Sequence, residues 1–536
     1  MKKLKVLLLM LFNDSMCTRI EDLGICYIAS VTRKNGNEVL LMAKHEHEIN
    51  FQRISEFGPD IVGFPVYDIS KDMVYRVCAR LREMFPNILI CLGGYLPSAE
   101  GKDMMEKESM IDFVIKNEGE IVWSQLITSL EEGKDVGDIK GLIYRNAKGE
   151  IIENGSQELI ENMDDLPFPA RDIGVENKLP FFSISTSRGC TGRCSFCYTH
   201  RFWKKWKGRS PKNVVDEIEY VTNTYNARIY HFIDASFEDP GFNFDRMWEI
   251  ASEIIKRNLV ITYTVEVRAE FQRHATDELL SMLKNSGLGG IYVGIEAANE
   301  FDLKLYGKNA TIYDNFMVVE LFRKWGIGLD IGFININPYS NFENIRKNID
   351  FLEKYKLASV YDYIRNSYRA YKGTPLYNKI ERDGMLIDGV HDALRRYRFI
   401  DERIRDIVEF LQEFNAANGV AVRKTHFPDY MVILEHYKRQ FSKKLQCDKA
   451  YKIVLDHEKE VNSIISDFSE LNVSWYKQIV DLAESGWDRN MADKIKLEAT
   501  ERFQRLFNNF IDEQNRLIFS LMRLGPRYRE YICENI

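Results

Sequence analysis

The chain of 536 residues lacks a fourth cysteine near its closest-spaced three, Cys190, Cys194 and Cys197, which lie in the run Ser187-Arg188-Gly189-Cys190-Thr191-Gly192-Arg193-Cys194-Ser195-Phe196-Cys197-Tyr198. Structural zinc takes four ligands and a cubane iron–sulfur cluster four thiolates. The loop alone therefore cannot close either site, and a cluster on it keeps one iron open to another molecule. His200 is near enough in sequence to complete a zinc knuckle, but zinc pairs usually come as Cys-x2-Cys with a matched partner pair, which is absent here. A disulfide scaffold is also excluded. Of the nine cysteines, Cys26, Cys78, Cys91, Cys447 and Cys533 are scattered singly among apolar or helical stretches. They read as buried thiols in a reducing compartment, the cytoplasm.

A Lys/Arg-rich block is missing too, and the formal charge is −7. Both argue against an electrostatic grip on nucleic acid. The short basic run Trp203 to Arg209 reads as local surface. No membrane span is expected. The apolar stretch Val6 to Phe12 follows lysines but is too short for a span and lacks a small-residue cleavage site, so it reads as a first buried strand. With 45% hydrophobic and 29% charged residues, the composition suits a globular chain of two to four domains.

Residues 4 to 95 alternate short apolar runs with helical patterns, the rhythm of a parallel sheet covered by helices. Strands are expected at Lys5 to Phe12, Glu38 to Met42, Ile61 to Pro65 and Ile88 to Leu92. Two of them deliver loops, Pro65-Val66-Tyr67 and Gly93-Gly94-Tyr95. Ligands of open parallel sheets bind beyond the carboxyl ends of the strands, where glycine lets the backbone approach closely. From about 180 to 380 the rhythm resumes, with strands expected at Phe181 to Ser185, Ile229 to Asp234, Val260 to Val267, Gly290 to Glu296, Gly328 to Asn335 and Val360 to Ser367. Ser210-Pro211 starts a helix running to about Tyr225. Six such strands suggest a partial (β/α)6 barrel, whose chemistry gathers at the carboxyl ends of the strands. Past about 385 the period turns helical, with apolar stripes such as Ile400, Ile404, Ile407, Leu411 and Phe414, and Val454, Val461, Ile464, Ile465 and Phe468. Trp475 and Tyr476 are expected in that core.

The spacing Cys190-x3-Cys194-x-Phe196-Cys197 resembles the signature of the radical S-adenosylmethionine (SAM) superfamily. The resemblance implies a [4Fe-4S] cluster on Cys190, Cys194 and Cys197. Its open iron would chelate SAM, which an electron from the cluster cleaves to a 5'-deoxyadenosyl radical. It places Phe196, Tyr198, Asp234, Arg268 and Glu296 at SAM. Glu296 stands in a Gly-x-Glu segment, and Arg268 and Asp234 end strands. Gly373 to Tyr377 is similar to the family's closing segment, with Lys372 for the usual proline, whereas Asn335 to Tyr339 replaces the frequent Gly-x-Pro-Gly.

Upstream, the order of the two strand-end loops, Asp112 to Glu120, Gly141 to Arg145 and Asp165 to Ala170 resembles the cobalamin-binding domain and connector of B12-dependent members of this superfamily. It implies cobalamin contacts from Pro65, Val66, Tyr67, Gly93, Gly94, Tyr95 and Glu118. No Asp-x-His-x-x-Gly is present, so base-off cobalamin without such a histidine ligand is implied, its lower face near Tyr67. The expected layout is α/β: a Rossmann-like, doubly wound cobalamin domain (1–145), a connector (146–178), the barrel (179–385) and an α-helical domain (386–536).

The function so implied is a C-methyltransferase, moving a methyl group from methylcobalamin to an unactivated carbon after hydrogen abstraction. Radical cyclisation, ring contraction or rearrangement use the same cofactors. Methylthiotransfer would need a second cluster, for which Cys17, Cys26, Cys78 and Cys91 are too dispersed, and a pure electron relay would be fully ligated. The partners implied are a small-molecule or peptide substrate and a low-potential donor such as flavodoxin or ferredoxin. No catalytic acid or base is assigned.

Overall fold

The structure, a computed structural model, describes residues 3–12, 21–387 and 396–525. Cys17 and Cys533 lie outside them. The chain forms two compact units. One comprises Met1–Thr191, Tyr198–Ala227 and Ile233–Ala235, and the other Gly192–Cys197, Arg228–Phe232 and Ser236–Ile536.

The first unit is built on a seven-stranded sheet in the order β2-β1-β3-β4-β5-β6-β7. The strands are β1 (Lys5–Leu11), β2 (Glu38–Lys44), β3 (Ile61–Pro65), β4 (Leu89–Gly93), β5 (Phe113–Ile115), β6 (Leu142–Arg145) and β7 (Ile151–Glu153). The first five pair in parallel and the last two antiparallel. Strand β1 shows why the sequence reads as a continuous apolar run. Val6, Leu8 and Met10 enter one core, while Leu7, Leu9 and Leu11 enter the core on the other face. Each such side chain contributes about 1.5–3 kcal/mol when fully buried, so helices on both faces are needed to cover them. The order 2-1-3-4-5 is that of doubly wound folds whose ligands sit at the carboxyl edge near the reversal of strand order, here between β1 and β3.

The same unit contains β8 (Phe182–Ile184), the antiparallel pair β9 (Ser187–Arg188) and β10 (Lys207–Gly208), and the helix Pro211–Tyr225. That helix starts where the sequence predicts, with Ser210 accepting from the Asn213 amide and proline in its first turn.

In the second unit, β11 (Ile229–Phe232), β12 (Thr262–Arg268), β13 (Leu288–Glu296) and β14 (Gly328–Phe333) pair in parallel in that order. Between them run helices Asp245–Lys256, Asp277–Ser286 and Ile312–Lys324. Tyr263, Val265, Val267, Ile291, Val293 and Ile295 are buried toward one face. The expected strand Val360 to Ser367 is instead the short helix Tyr361–Arg365 followed by a single parallel bridge, Ile336 to Ser367. Its apolar residues made helix and strand indistinguishable by period.

Four helices end the described chain: Ile404–Lys424, Phe427–Arg439, Asp448–Ser485 and Arg489–Met522. Trp475 and Tyr476 are core residues. Ile400, counted in the apolar stripe, precedes the first of these helices and is 68% exposed, and Cys447 is only partly buried, at the start of Asp448–Ser485. Among the described residues no helix is long and apolar enough to cross a membrane.

Candidate active site

In the first unit the loops after β3 and β4 meet. The Val66 amide donates to the Gly93 carbonyl at 2.9 Å, and the Tyr67 hydroxyl donates to Asp22. Gly94 caps the helix Tyr95–Lys107, its carbonyl accepting from the Ser98 hydroxyl at 2.7 Å. At Gly93, closing β4 after Pro65 has closed β3, an added Cβ would meet no atom within 4 Å, whereas one at the interior Gly63 would lie 2.8 Å from Leu8. The carboxyl edge is thus open where a planar cofactor needs close approach, and these residues fit a cobalamin.

Glu118 departs from expectation. Its carboxylate is enclosed by Arg188 at 3.1 Å and Lys207 at 2.5 Å, and the side chain is 1% exposed. It holds the scaffold together instead of facing a ligand. Arg188 also pairs with Glu120 at 2.5 Å. The basic run 203–209 is likewise half interior. Lys207 and Arg209 are buried ion-pair members, Arg209 with Glu217, which also takes Arg171. The charge pattern hid this, because Glu118 is distant in sequence from Lys207 and Glu217 lies on the buried side of the following helix.

These contacts fasten the three-cysteine loop at both ends within the first unit. Before the loop stands Arg188, and the Asp234 carboxylate accepts from the Thr186 hydroxyl and, at 2.5 Å, from the Ser187 amide. Asp234 thus anchors the stem. After the loop, Phe202 and Tyr198 pack on Tyr95 with ring centroids 4.3 and 6.2 Å apart, and the Trp203 indole donates to the Tyr95 hydroxyl at 3.2 Å.

In the second unit, Ser195 pins the middle of the loop. Its amide donates to the Tyr306 carbonyl at 2.8 Å and its hydroxyl to the Leu305 carbonyl at 2.6 Å, while its carbonyl accepts from the Leu376 amide at 2.9 Å. The last bond comes from the Gly373-to-Tyr377 segment. Phe196 packs edge-on against Tyr306 at 5.5 Å. Cys190, Cys194 and Cys197 are partly exposed, whereas Cys26, Cys78 and Cys91 are buried. Burial raises the Cys194 pKa to about 11, against the pull of Lys308. Among the described residues no three His, Cys, Asp or Glu side chains converge as a single ion requires. A cubane, which takes one thiolate per iron corner, suits partly exposed thiols spaced along one loop.

The strand register stacks the other face of β12–β14 in rows. Thr264, Gly290 and Gly328 form the first, Glu266, Tyr292 and Asp330 the second, and Arg268, Gly294 and Gly332 the third. The helix Phe427–Arg439 closes over the first row, where an added Cβ at Gly290 would lie 2.6 Å from Val432. At the third row the glycines make room for Glu296, which has φ 68° and follows a bulge. Added Cβ atoms at Gly294 and Gly332 would lie 3.0 and 3.3 Å from its Oε1. Lys308 Nζ lies 3.8 Å from that carboxylate and donates to the Gly294 carbonyl at 2.9 Å. Burial raises the Glu296 pKa, and Lys308 opposes the shift. This carboxylate, backed by a lysine on a glycine-cleared ledge, fits the amine of SAM. Arg268 is engaged by Glu238 at 3.0 Å and Asp239 at 2.8 Å and lies over the Phe242 ring. Where Gly-x-Pro-Gly is missing, side-chain amides hold the turn: Asn337 donates to Asp302 at 2.7 Å and to the Tyr306 hydroxyl at 2.9 Å.

Lys308, Tyr292, Glu238 and Asp239 escaped sequence reading. Only the alternation along β12–β14 could have exposed the inward row, because period 2 puts Glu266 and Arg268 on one face.

Fold and site together define a protein that carries on one chain an open parallel-sheet edge and a three-cysteine loop with one thiolate too few to close a metal site. The B12 binding domain family matches residues 14–127 and the Radical SAM superfamily residues 184–352. The chain belongs to the cobalamin-dependent radical SAM enzymes, with a [4Fe-4S] cluster, SAM and cobalamin as cofactors. It is 27% identical over 403 residues to an uncharacterized methyltransferase, PH0819, of Pyrococcus horikoshii, covering 72% of this chain and 85% of that one. It is 28% identical over 368 residues to the anaerobic magnesium-protoporphyrin IX monomethyl ester cyclase of a Synechocystis species, covering 64% and 69%. The structure of the cobalamin-dependent SAM radical enzyme OxsB with aqua-cobalamin bound shares the fold, with a TM-score of 0.67 at 21% identity over 95% of this chain and 84% of that one.

Proposed function

We propose that the chain is a C-methyltransferase acting on an unactivated carbon of a small-molecule or peptide substrate. One observation carries the reading: both flanks of the three-cysteine loop are fastened to the segments that follow β4 and β5, Tyr95 on one side and Glu118 with Glu120 on the other. Within the first unit, a sheet edge fitted for cobalamin is thereby tied to the two stems that carry the cysteine loop, and catalysis by two cofactors requires that the elements carrying them be held in place. When bound, the cluster and SAM supply a radical and the cobalamin a transferable methyl group. The chain's own residues hold and orient: Glu296 and Lys308 at the SAM amine, Ser195 and Asp234 along the loop. The methyltransferase name of the Pyrococcus relative supports the reading. Electrons come from a low-potential flavodoxin- or ferredoxin-type donor in the cytoplasm.

The test uses anaerobically reconstituted, reduced protein with SAM carrying a CD3 group, incubated with small molecules extracted from the source cells. Release of 5'-deoxyadenosine together with S-adenosylhomocysteine, and a product bearing the CD3 label, is expected. The second reading, radical cyclisation, is favoured by the Synechocystis relative. It gives 5'-deoxyadenosine with an unlabelled product and no S-adenosylhomocysteine.

A further inference from the structure

Between Glu176 and Asp216 the chain runs for 39 residues with nine Lys and Arg and no Asp or Glu, although acids outnumber Lys and Arg by 80 to 73 overall. The structure sorts these cations into two kinds. Arg188, Lys207 and Arg209 are buried and paired with Glu118, Glu120 and Glu217, and Lys212 pairs with Asp216 at 2.8 Å. Arg201, Lys204 and Lys205 are exposed and, among the described residues, have no ion-pair partner. Three like charges within five residues repel one another, so the fold does not account for them.

These charges are held beside the first cysteine. All three lie in the first unit, as does Cys190. The helix Thr199–Trp203 is fixed from within by Phe202, which is 5% exposed and packs on Tyr95 with ring centroids 4.3 Å apart. At its end the Lys204 amide donates to the His200 carbonyl at 3.0 Å. The chain then enters β10, which pairs with β9. That pairing lays Lys205 against Gly189, where an added Cβ would lie 2.6 Å from the Lys205 carbonyl oxygen and 3.0 Å from Trp206 Cα. Gly189 is the residue before Cys190, and Cys190 is partly exposed. The unpaired charges therefore sit on a braced segment, one residue from a thiol of the cluster loop, and water reaches both.

We propose that Arg201, Lys204 and Lys205 form the docking surface for the protein that delivers electrons to the cluster, a one-electron carrier with an acidic face. The inference rests on the proposed radical reaction, which consumes an electron at each reductive cleavage of SAM. At this surface one electron leaves the reduced carrier, which is oxidised by one unit, and enters the cluster, which is reduced by one; no bond forms or breaks. Electron-transfer encounters are small, burying less than about 1,200 Å², so a few well-placed charges suffice. Complementary charge raises encounter rates roughly 10- to 1,000-fold and is screened by salt. A nucleic-acid partner fits less well, because three cations neutralise at most three phosphates.

The test follows cluster reduction in the anaerobically reconstituted holoenzyme by stopped-flow absorbance. Two donors are compared: an acidic flavodoxin in its hydroquinone form, and photoreduced deazaflavin, a small neutral reductant that needs no docking surface. With flavodoxin the second-order rate constant is expected to fall at least tenfold between about 50 and 500 mM NaCl. At low salt it is expected to fall at least tenfold in a variant carrying Arg201→Gln, Lys204→Gln and Lys205→Gln. Deazaflavin should reduce wild type and variant alike, with equal iron content and hydroxocobalamin affinity. A control variant removes the same charge from the opposite edge of the sheet through Lys34→Gln, Lys107→Gln and Lys148→Gln, at two helix ends and the β6–β7 turn. It should keep the wild-type flavodoxin rate. The surface is overturned by a flavodoxin rate that the first variant does not lower, by equal lowering in the control, or by a wild type that deazaflavin reduces and flavodoxin does not. Slower reduction by both donors, or lost hydroxocobalamin affinity, would assign the cations to the fold or the cofactor and overturns it too, as does single-stranded oligonucleotide binding lost in the first variant. Release of 5'-deoxyadenosine from deazaflavin-reduced wild type with SAM is measured separately. No release removes the reaction and leaves the surface; release with a flavodoxin rate indifferent to salt and substitution removes the surface and leaves the reaction.

Discussion

Glu296 shows how much of one residue's role can be read before the fold is known. The Gly-x-Glu segment singled it out, and it lies at the end of β13 in left-handed backbone, φ 68°, a conformation that costs a residue with a side chain about 1–2 kcal/mol. Its surroundings were illegible: Lys308 lies twelve residues on, and Gly332 on another strand. Local spacing cannot report which glycine lies under a carboxylate. Gly332→Ala tests the arrangement. The new methyl would stand 2.7 Å from the Tyr292 hydroxyl and 3.3 Å from Glu296 Oε1, so both side chains must shift. Overpacking of this kind costs about 1–3 kcal/mol. SAM affinity is expected to fall about tenfold, with the chain still folded by circular dichroism. Unchanged SAM affinity in equilibrium dialysis would mean that the carboxylate is not where SAM docks.

At the scale of elements, strands were legible because apolar β-branched runs ended in turn residues, and the helix Pro211–Tyr225 because its cap is local. What stayed hidden was which helix covers which strand. Phe427–Arg439 lies far along the chain, yet Arg439 donates to the carbonyls of Ile261, Lys284 and Asn285 at 3.1, 2.7 and 3.0 Å. These bonds satisfy strand-start and helix-end carbonyls that would otherwise be buried without partners. The close approach depends on Gly290. Gly290→Ala would put a methyl 2.6 Å from Val432 Cγ2 and is expected to lower unfolding free energy by about 1–3 kcal/mol in urea titration. Adding Val432→Ala makes room again. The double variant should therefore recover stability relative to the sum of the two single losses. Strict additivity would show that the helix and strand are not in contact at this point.

For the molecule as a whole, the sequence made the succession of the two cofactor domains readable, because the cluster loop needs cysteines at fixed spacing and the domain before it keeps a recognisable order of strand-end loops. It concealed the ion pairs that brace the first unit. Glu118 looked like a ligand contact and is a buried counter-charge, because an acid beside a strand end reads the same in either role until its partners are seen. The platform for cobalamin nevertheless remains testable apart from catalysis. A ligand that binds only the native state stabilises it by about 2.7 kcal/mol at one hundred times its Kd, so hydroxocobalamin and SAM should each raise the unfolding transition of the reconstituted protein. Gly93→Leu separates them. A Cβ there meets no atom within 4 Å, so the variant without cofactor should unfold at nearly the wild-type denaturant concentration, but the added side chain fills the space left open at the end of β4. The hydroxocobalamin-dependent increment should then vanish while the SAM-dependent increment persists. Retention of both increments would move cobalamin away from the carboxyl edge of the sheet. Loss of both would mean that Gly93 supports the fold more widely than its open surroundings imply.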